Sequence, residues 1–217
     1  MTRLFSDLGF RWKITLPISA LAILLVLMGA VGMRGIERVA DSSELLATRH
    51  LPAIGLLLNA DRDLYQAFVA ERSLLDSDAG AHVQALKASH AENLKQAYDR
   101  VQKYAAMQPG RDALALVEQF NRGFEQWSTV SKRVIEQVEQ NPQAASALSF
   151  GDSESRFDAM RDAIDKLGEL EEAAADAEGQ AALAEGDRAV TLAEIAQRHQ
   201  GRGELLRQGH VRPPSSW

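Results

Sequence analysis

An uncharged run near the N-terminus most constrains what this chain can fold into. Residues 14–33 read ITLPISALAILLVLMGAVGM and contain no ionisable side chain. Because an α-helix rises about 1.5 Å per residue, this run spans about 30 Å, the thickness of a bilayer's hydrocarbon core. The run therefore predicts a transmembrane helix over residues 14–33, preceded by a short N-terminal segment over residues 1–13.

A cleaved secretory signal is the alternative to an anchor. The basic start suits both readings, and Ala30-Val31-Gly32 loosely imitates a small-residue cleavage site. However, the apolar region of a signal usually covers only about 7–15 residues, which is shorter than this run. The length therefore favours a membrane anchor.

The charges next to the apolar run predict its orientation. Residues 1–13 carry Arg3, Arg11 and Lys13 against Asp7. Basic residues close to a membrane helix tend to remain in the cytoplasm. We therefore expect a cytoplasmic N-terminus and a following domain on the periplasmic or outer side.

The composition excludes several classes of protein. The chain carries a net charge of −6 and has no cysteine. An acidic body is unsuited to nucleic acid, whose recognition depends on basic patches, and without cysteine there are no disulfides or thiolate metal sites. Few prolines and many Ala, Leu, Glu, Gln and Arg residues are typical of long helices.

Apolar residues beyond the anchor recur at helical spacing in four runs. The runs lie within residues 36–75, 83–104, 114–138 and 157–170, and turn formers separate them at 76–80, 107–110 and 140–142. This pattern predicts an all-α fold, in which the transmembrane helix continues into an up-down-up-down four-helix bundle over residues 34–197. We expect Pro52 to kink the first helix, and residues 150–153 to supply the N-cap of the fourth.

The C-terminal segment breaks the pattern. Residues 198–217 contain glycines, arginines and the adjacent pair Pro213-Pro214, with no continuing apolar face. One interpretation is an irregular tail, because chain termini are often poorly ordered. The other is a truncated chain or a shifted reading frame, in which a second membrane span has been lost.

A polar stripe on the first bundle helix holds the candidate binding residues. Asn59, Arg62, Asp63 and Gln66 lie three or four residues apart and therefore share a face. Arg62 offers a planar donor fork that suits a carboxylate, and the two amides add donors and acceptors. The plainer interpretation is a solvated face with pairs inside the helix.

Asp61 is a different case, because it lies on the projected apolar stripe of the same helix. An unpaired buried carboxylate is costly, so Asp61 predicts a partner on another helix or chain. Tyr65 and Arg72 accompany it, and Arg49 and His50 are weaker candidates for the same interface.

Enzymatic readings find little support in the sequence. The histidines are His50, His82, His90, His199 and His210. Their spacing matches no helical metal site, and no phosphate-binding glycine loop or nucleophile elbow occurs. We therefore predict no catalytic residue, no metal and no cofactor. His90 and Trp127 are interpreted as core residues of their helices.

Three segments resemble a known family. They are Phe10–Ile14, which runs directly into the anchor, Gly35–Val39 after it, and Leu51–Ala67 with the sequence LPAIGLLLNADRDLYQA. Over residues 8–190 the chain resembles the N-terminal part of bacterial methyl-accepting chemotaxis receptors, whose periplasmic sensor is a four-helix bundle. The resemblance implies a single-pass protein of the bacterial inner membrane with its sensor in the periplasm.

The resemblance also implies how such a sensor works. Bundles of this family pair as homodimers, and a small polar ligand binds between the first and fourth helices near the subunit interface. Ligand binding then favours a small displacement of the last helix. On this basis we expect Asn59, Arg62, Asp63 and Gln66 to bind the ligand. Because no receptor output module follows residue 197, we expect a sensor without its own output.

Other functions remain open at this stage. The same sensor type could belong to a histidine kinase or to a cyclic-dinucleotide enzyme. The bundle could also bind a ligand-loaded periplasmic binding protein instead of the free ligand. A different class is a non-sensing anchored scaffold, which caps full-length receptors. Ligand-dependent stabilisation would distinguish a sensor from a scaffold.

Overall fold

The computed structural model describes residues 9–76 and 82–208, and no strand occurs among them. The helices are α1 (Phe10–Leu45), α2 (Leu51–Ser73), α3 (Val83–Ala106), α4 (Arg111–Gln137), α5 (Pro142–Leu148) and α6 (Glu154–Gln208). Two π-helical turns, Leu46–His50 and Ser149–Ser153, precede α2 and α6. The predicted all-α fold is confirmed.

The chain divides into two compact units. Unit one combines residues 1–44 with residues 178–217, and unit two comprises residues 45–177. Within the described part of unit one, the Ser42 hydroxyl donates to Glu178 at 2.7 Å and Arg38 pairs with Glu185 at 3.2 Å. Helix α1 therefore has polar partners in the later part of α6.

The helix that contains the apolar run is long and apolar enough to cross a membrane. Counted through the π-helical turn and α2, this helix extends from Phe10 to Ser73. Its most apolar window has a mean hydropathy of 2.5, and no part of that window is buried. It lies near the N-terminus, as the sequence predicts. An unburied apolar helix of this length indicates a membrane anchor.

Unit two is a bundle in which neighbouring helices run antiparallel. Asp61 of α2 pairs with Arg161 of α6. His50, in the π-helical turn before α2, pairs with Glu171, which comes later in α6 than Arg161. Likewise, Gln102 of α3 contacts Asn121 of α4, and Lys87, earlier in α3, pairs with Glu139 just after the end of α4. Each series advances along one helix as it retreats along the other, which defines an up-down arrangement.

The bundle interior contains side chains from all four long helices. Its largest fully buried members are Trp127, Tyr104, Phe120, Phe157, Leu57, Leu64 and Met160. Trp127 packs edge-on against Phe157, with the ring centroids 5.0 Å apart. The sequence interpretation of Trp127 as a core residue is confirmed, and burial of these side chains supplies the main stabilisation of the bundle.

The connections agree with the sequence at one turn and differ at another. The Pro109-Gly110 pair separates α3 from α4 as expected. The segment between α4 and α6, expected to be loose, instead contains α5 and a π-helical turn. Asn141 caps this stretch by accepting a hydrogen bond from the Ala144 amide at 3.1 Å, so the predicted N-cap at residues 150–153 is wrong.

The C-terminal segment differs from the expected irregular tail. Helix α6 continues to Gln208, eleven residues into the segment assigned to the tail, whereas residues 209–217 lie outside the described part of the chain. Glycine inside a helix costs only about 1 kcal/mol, and the intervening Arg, Glu, Leu and Gln are good helix formers. Gly201 and Gly203 are therefore not enough to end the helix.

Pro52 affects the helix in the way that its chemistry requires. The π-helical turn Leu46–His50 ends just before the Leu51-Pro52 pair, and the Leu51 amide donates to the Leu46 carbonyl. Proline has no amide hydrogen and clashes with the preceding turn of an α-helix. The wider π-turn accommodates proline without ending the helix, and the kink expected at Pro52 stays a prediction.

Candidate functional site

Helix α2 presents one largely solvent-exposed side, which we call the outer face of α2. Its exposed members are Leu51, Leu58, Arg62, Tyr65, Gln66 and Val69. Two of the four predicted binding residues, Arg62 and Gln66, are therefore on this face. Asn59 is half-buried beside it, and its amide donates to the Gly55 carbonyl of its own helix at 2.6 Å.

Asp63 lies elsewhere, because it is fully buried between α2 and α3. One carboxylate oxygen accepts from Arg62 Nε at 3.1 Å and Nη2 at 2.8 Å, and the other accepts from Arg100 Nε at 2.6 Å. Two guanidinium groups thus share one carboxylate. Asp63 is therefore not part of a solvated stripe, and in this arrangement it holds Arg62 in place.

Arg62 keeps one side open despite this bond. Its side chain is 53% exposed, while the carboxylate of Asp63 is 0% exposed. A fixed guanidinium loses less rotamer freedom when a second anion binds, since part of the entropy cost has already been met. The cluster of Arg62, Asp63 and Arg100 carries one surplus positive charge and is suited to an anionic group.

Asp61 has the partner that the sequence required. Arg161 of α6 donates to its two oxygens at 2.8 and 3.4 Å, and the guanidinium also lies 4.7 Å from the centroid of the Tyr65 ring. The prediction that Asp61 pairs with another helix is confirmed. The sequence could not identify Arg161, which lies one hundred residues away.

A groove of about 300 Å³ lies between α2 and α6 next to this pair. Its apolar floor includes Ile54 and Leu57, and its rim carries Asp61, Asp165 and Glu169. Burial raises the pKa of Asp165; the Arg161 charge opposes this shift, and the Asp61 carboxylate adds to it. The groove is therefore acidic, whereas the Arg62 side of α2 is basic.

A second polar cluster lies in the bundle where α2 begins. The Tyr104 hydroxyl donates to Glu171 Oε1 at 2.7 Å, and His50 Nδ1 lies 3.2 Å from Glu171 Oε2. Burial, followed by the hydrogen bond to Glu171, raises the pKa of Tyr104. His50 was only a weak candidate in the sequence, and Glu171 was not one, because nothing local distinguishes it from exposed glutamates in α6.

A third cluster lies at the other end of α2. The fully buried Glu71 accepts hydrogen bonds from Ser149 and Ser153 of the π-helical turn before α6. Nearby, Arg72 pairs with Glu154 at 3.1 Å and lies over the ring of Phe150. These contacts account for two charges that interrupt the apolar stripe of α2.

His90 is a core residue, as the sequence indicates. Its Nε2 lies 2.7 Å from the Ser131 hydroxyl, and burial, with a smaller contribution from the Lys132 charge, lowers its pKa to about 4. Over the described residues there is no group of three His, Cys, Asp or Glu side chains that could hold a metal ion.

The fold and the polar clusters together define a class of protein. An unburied apolar N-terminal helix leads into an antiparallel helical bundle, and this is the architecture of a sensory module. The chain belongs to the family described as the four helix bundle sensory module for signal transduction, whose model matches residues 7–185. No curated protein matches the chain.

Membership of this family confirms the resemblance to chemotaxis receptors. The chain contains a four-helix-bundle sensory module of the type found in methyl-accepting chemotaxis proteins. The family is a sensory one and not a catalytic one. The sequence likewise contains none of the enzymatic motifs considered above.

Proposed function

We propose that this chain is the extracytoplasmic sensor domain of a chemotaxis-type receptor and that it binds a small polar ligand at the outer face of α2. The observation that carries the proposal is the half-exposed Arg62, held in place by the buried Asp63. A preorganised guanidinium with one open side is suited to a carboxylate, which it can bind through two parallel hydrogen bonds.

The neighbouring residues support the same ligand chemistry. Gln66 lies one turn from Arg62, and Asn59 lies one turn before it, so both amides are within reach of a ligand of a few atoms. On the α6 side, the acidic groove would favour a positively charged group. A small molecule with a carboxylate, with or without an ammonium group, fits this charge distribution.

The apolar members of the outer face support a homodimer. Leu51, Leu58 and Val69 are each more than half exposed, on the same side of α2 as Arg62. Exposed apolar side chains in a row at helical spacing favour packing against another helix. A second copy of α2 would cover them and place a second Arg62 near the same ligand.

The test is ligand-dependent stabilisation of the full chain in detergent. Thermal unfolding is followed by circular dichroism with a panel of amino acids and small carboxylic acids at constant ionic strength. A ligand of the folded state raises the unfolding midpoint in a saturable way. We expect Arg62→Ala to abolish that shift.

Arg122→Ala is the matched control, since Arg122 is an exposed arginine of α4 whose pairing with Glu118 is loose, at 3.9 Å. It should leave the ligand response unchanged. The site would be refuted if no compound of the panel lost its stabilising effect in Arg62→Ala. A folded chain that responds to no free small molecule would instead favour the scaffold function or recognition of a ligand-loaded binding protein.

We further propose that the N-terminus is cytoplasmic and that the bundle lies in the periplasm, anchored in the bacterial inner membrane by α1. The apolar helix and the basic residues before it support this topology. The chain has no cysteine, so one introduced thiol can be labelled by itself. In intact spheroplasts, a membrane-impermeant maleimide should label Gln119→Cys and spare Thr2→Cys; the reverse result would invert the topology.

A further inference from the structure

A cavity of about 550 Å³ lies in unit two, away from the outer face of α2. The π-helical turn before α2 contributes Arg49 and His50, the start of α4 contributes Arg111 and Asp112, and α6 contributes Glu171. Its volume is within the range of about 300–1,000 Å³ that is usual for small-molecule sites. Three separate segments of the bundle therefore meet at one opening.

The Glu171 carboxylate that lines this cavity already has hydrogen-bond partners. Each oxygen of Glu171 has a partner, since Oε1 accepts from the Tyr104 hydroxyl and Oε2 lies 3.2 Å from His50 Nδ1. The charge of Arg49 is also close, because it acts on Tyr104 to lower its pKa against the larger opposing effects. Glu171 is buried with these contacts and offers little to an incoming cation.

The basic groups of the cavity are exposed instead. Arg49 and Arg111 both have exposed side chains, and Arg111 forms no ion pair with a residue that the structure describes. Asp112 is the remaining charge; it lies in the first turn of α4, where a carboxylate is stabilised by the helix dipole. Two guanidinium groups from different segments thus border one opening.

We propose that this cavity is a second ligand site, which binds a small oxyanion, a carboxylate or a phosphate, between Arg49 and Arg111. Guanidinium groups recognise both anions through paired, charge-assisted hydrogen bonds. The site is distinct from the outer face of α2, because Arg49 precedes Arg62 by about 20 Å along the helix. An anion bound here joins the π-helical turn to the start of α4.

The test is thermal unfolding of the full chain in detergent with inorganic phosphate or malonate as the probe. Sodium chloride holds the ionic strength constant, and ethylammonium chloride serves as the cationic probe. We expect a saturable rise of the unfolding midpoint with at least one of the two anions and none with ethylammonium. Arg49→Gln and Arg111→Gln should each raise the apparent Kd about tenfold or more.

Three control variants complete the experiment. Arg133→Gln removes an exposed arginine of α4 that does not line the cavity and should leave the Kd unchanged. Arg62→Ala should leave the Kd for inorganic phosphate unchanged, because the ligand proposed for the outer face of α2 is a carboxylate; failure at the outer face of α2 and failure at this cavity are therefore distinguishable. Arg111→Lys keeps the charge and should recover part of the affinity.

Two results would overturn the proposal. One is a midpoint that rises without saturation and equally in every variant, because this is the signature of a general salt effect. The other is a saturable response that Arg62→Ala removes and the Arg49 and Arg111 variants retain, which would assign the anion to the outer face of α2. A response of equal size to phosphate and malonate supports a general oxyanion site, and a difference between them identifies the preferred anion.

Discussion

Buried charged side chains of α2 have specific partners on other helical segments of the bundle. Asp63 of α2 binds Arg100 of α3, and Glu71 of α2 binds the serines that precede α6. A buried charge without such a partner is strongly destabilising. These pairs therefore contribute as much to the register of the helices as to binding.

Replacing Asp63 by Asn tests whether a buried charge pair stabilises the bundle. The change removes the negative charge that two arginines share, so we expect Asp63→Asn to lower the free energy of unfolding by about 1–3 kcal/mol. The decrease in the free energy of unfolding stays in this range because Arg62 and Arg100 both retain some solvent contact. Urea unfolding followed by circular dichroism measures it.

Asp99→Asn is the control for that variant. Asp99 pairs with Lys95 on the surface of α3 at 2.6 Å, and solvent-exposed ion pairs contribute little to stability. If Asp63→Asn were no more destabilising than Asp99→Asn, the buried carboxylate of Asp63 would not hold Arg62 as proposed.

His90 makes the stability of the bundle depend on pH. Its pKa falls from 6.5 to about 4 in the folded state, so between these values the unfolded chain binds a proton that the folded chain does not. Stability contributed by neutral His90 is therefore present above pH 6.5 and is lost as the pH falls towards 4. Lowering the pH from 7 to 4.5 should therefore decrease the free energy of unfolding by about 2 kcal/mol through His90.

The variant His90→Gln removes that proton but keeps a polar group beside Ser131. We expect its free energy of unfolding to decrease less than that of the wild type when the pH falls from 7 to 4.5. His82→Gln, at an exposed position before α3, should follow the wild type. Parallel pH profiles for His90→Gln and the wild type would contradict the assignment.

At the scale of helices, the packing of α4 on α6 depends on one glycine. A Cβ atom built on Gly123 would lie 3.0 Å from Met160 Cβ and 3.1 Å from its Cα. The second atom is backbone and cannot move without α6. We therefore expect Gly123→Ala to lower the free energy of unfolding by about 1–3 kcal/mol through overpacking.

The opposite sign is expected at Gly55 of α2, where an added Cβ meets no atom within 4 Å. Because alanine is the better helix former, Gly55→Ala should raise the free energy of unfolding by about 0.5–1 kcal/mol. Chemical unfolding of both variants measures the contrast. Equal effects at the two positions would show that α4 and α6 are less closely packed than this contact implies.

At the scale of the whole molecule, dimerisation through α2 can be tested by crosslinking. Leu58 is 63% exposed at the middle of the outer face of α2, and the chain has no cysteine of its own. We expect Leu58→Cys to form a disulfide-linked dimer in membranes under mild oxidation, since two copies of α2 would bring the thiols together. Gel electrophoresis without reductant detects it.

Gln119→Cys on α4 is the control for random collisions, because this exposed position is not part of the outer face of α2. It should crosslink much less than Leu58→Cys at the same oxidant concentration. Similar yields at the two positions would count against a dimer interface on α2.

The sequence predicted the elements of this molecule well where local chemistry decides them. The apolar run, the helical periodicity and the Pro109-Gly110 turn each depend on residues close together in the chain, and the family match agrees with the resulting bundle. Local signals were less reliable at helix ends. Asn141 rather than residues 150–153 caps the chain before α6, and α6 extends beyond residue 197.

The residues predicted to bind a ligand show the same difference between local signals and tertiary structure. Spacing alone placed Arg62 and Gln66 on an exposed face, and it correctly required a partner for Asp61 on another helix. It also placed Asp63 beside them, whereas the structure buries that carboxylate between two arginines. Helical spacing fixes the angle between side chains, but the neighbouring helix decides which angle faces the interior.

What the sequence by itself determined was the class of this protein: an apolar helix long enough for a membrane, followed by four amphipathic helices that must cover one another. Only the tertiary structure decided which charges meet. Arg161, Arg100 and Glu171 lie far along the chain from Asp61, Asp63 and His50, and antiparallel packing brings them within hydrogen-bonding distance. The physical reason is that helix formation depends on neighbours in sequence, whereas burial and charge pairing depend on neighbours in space.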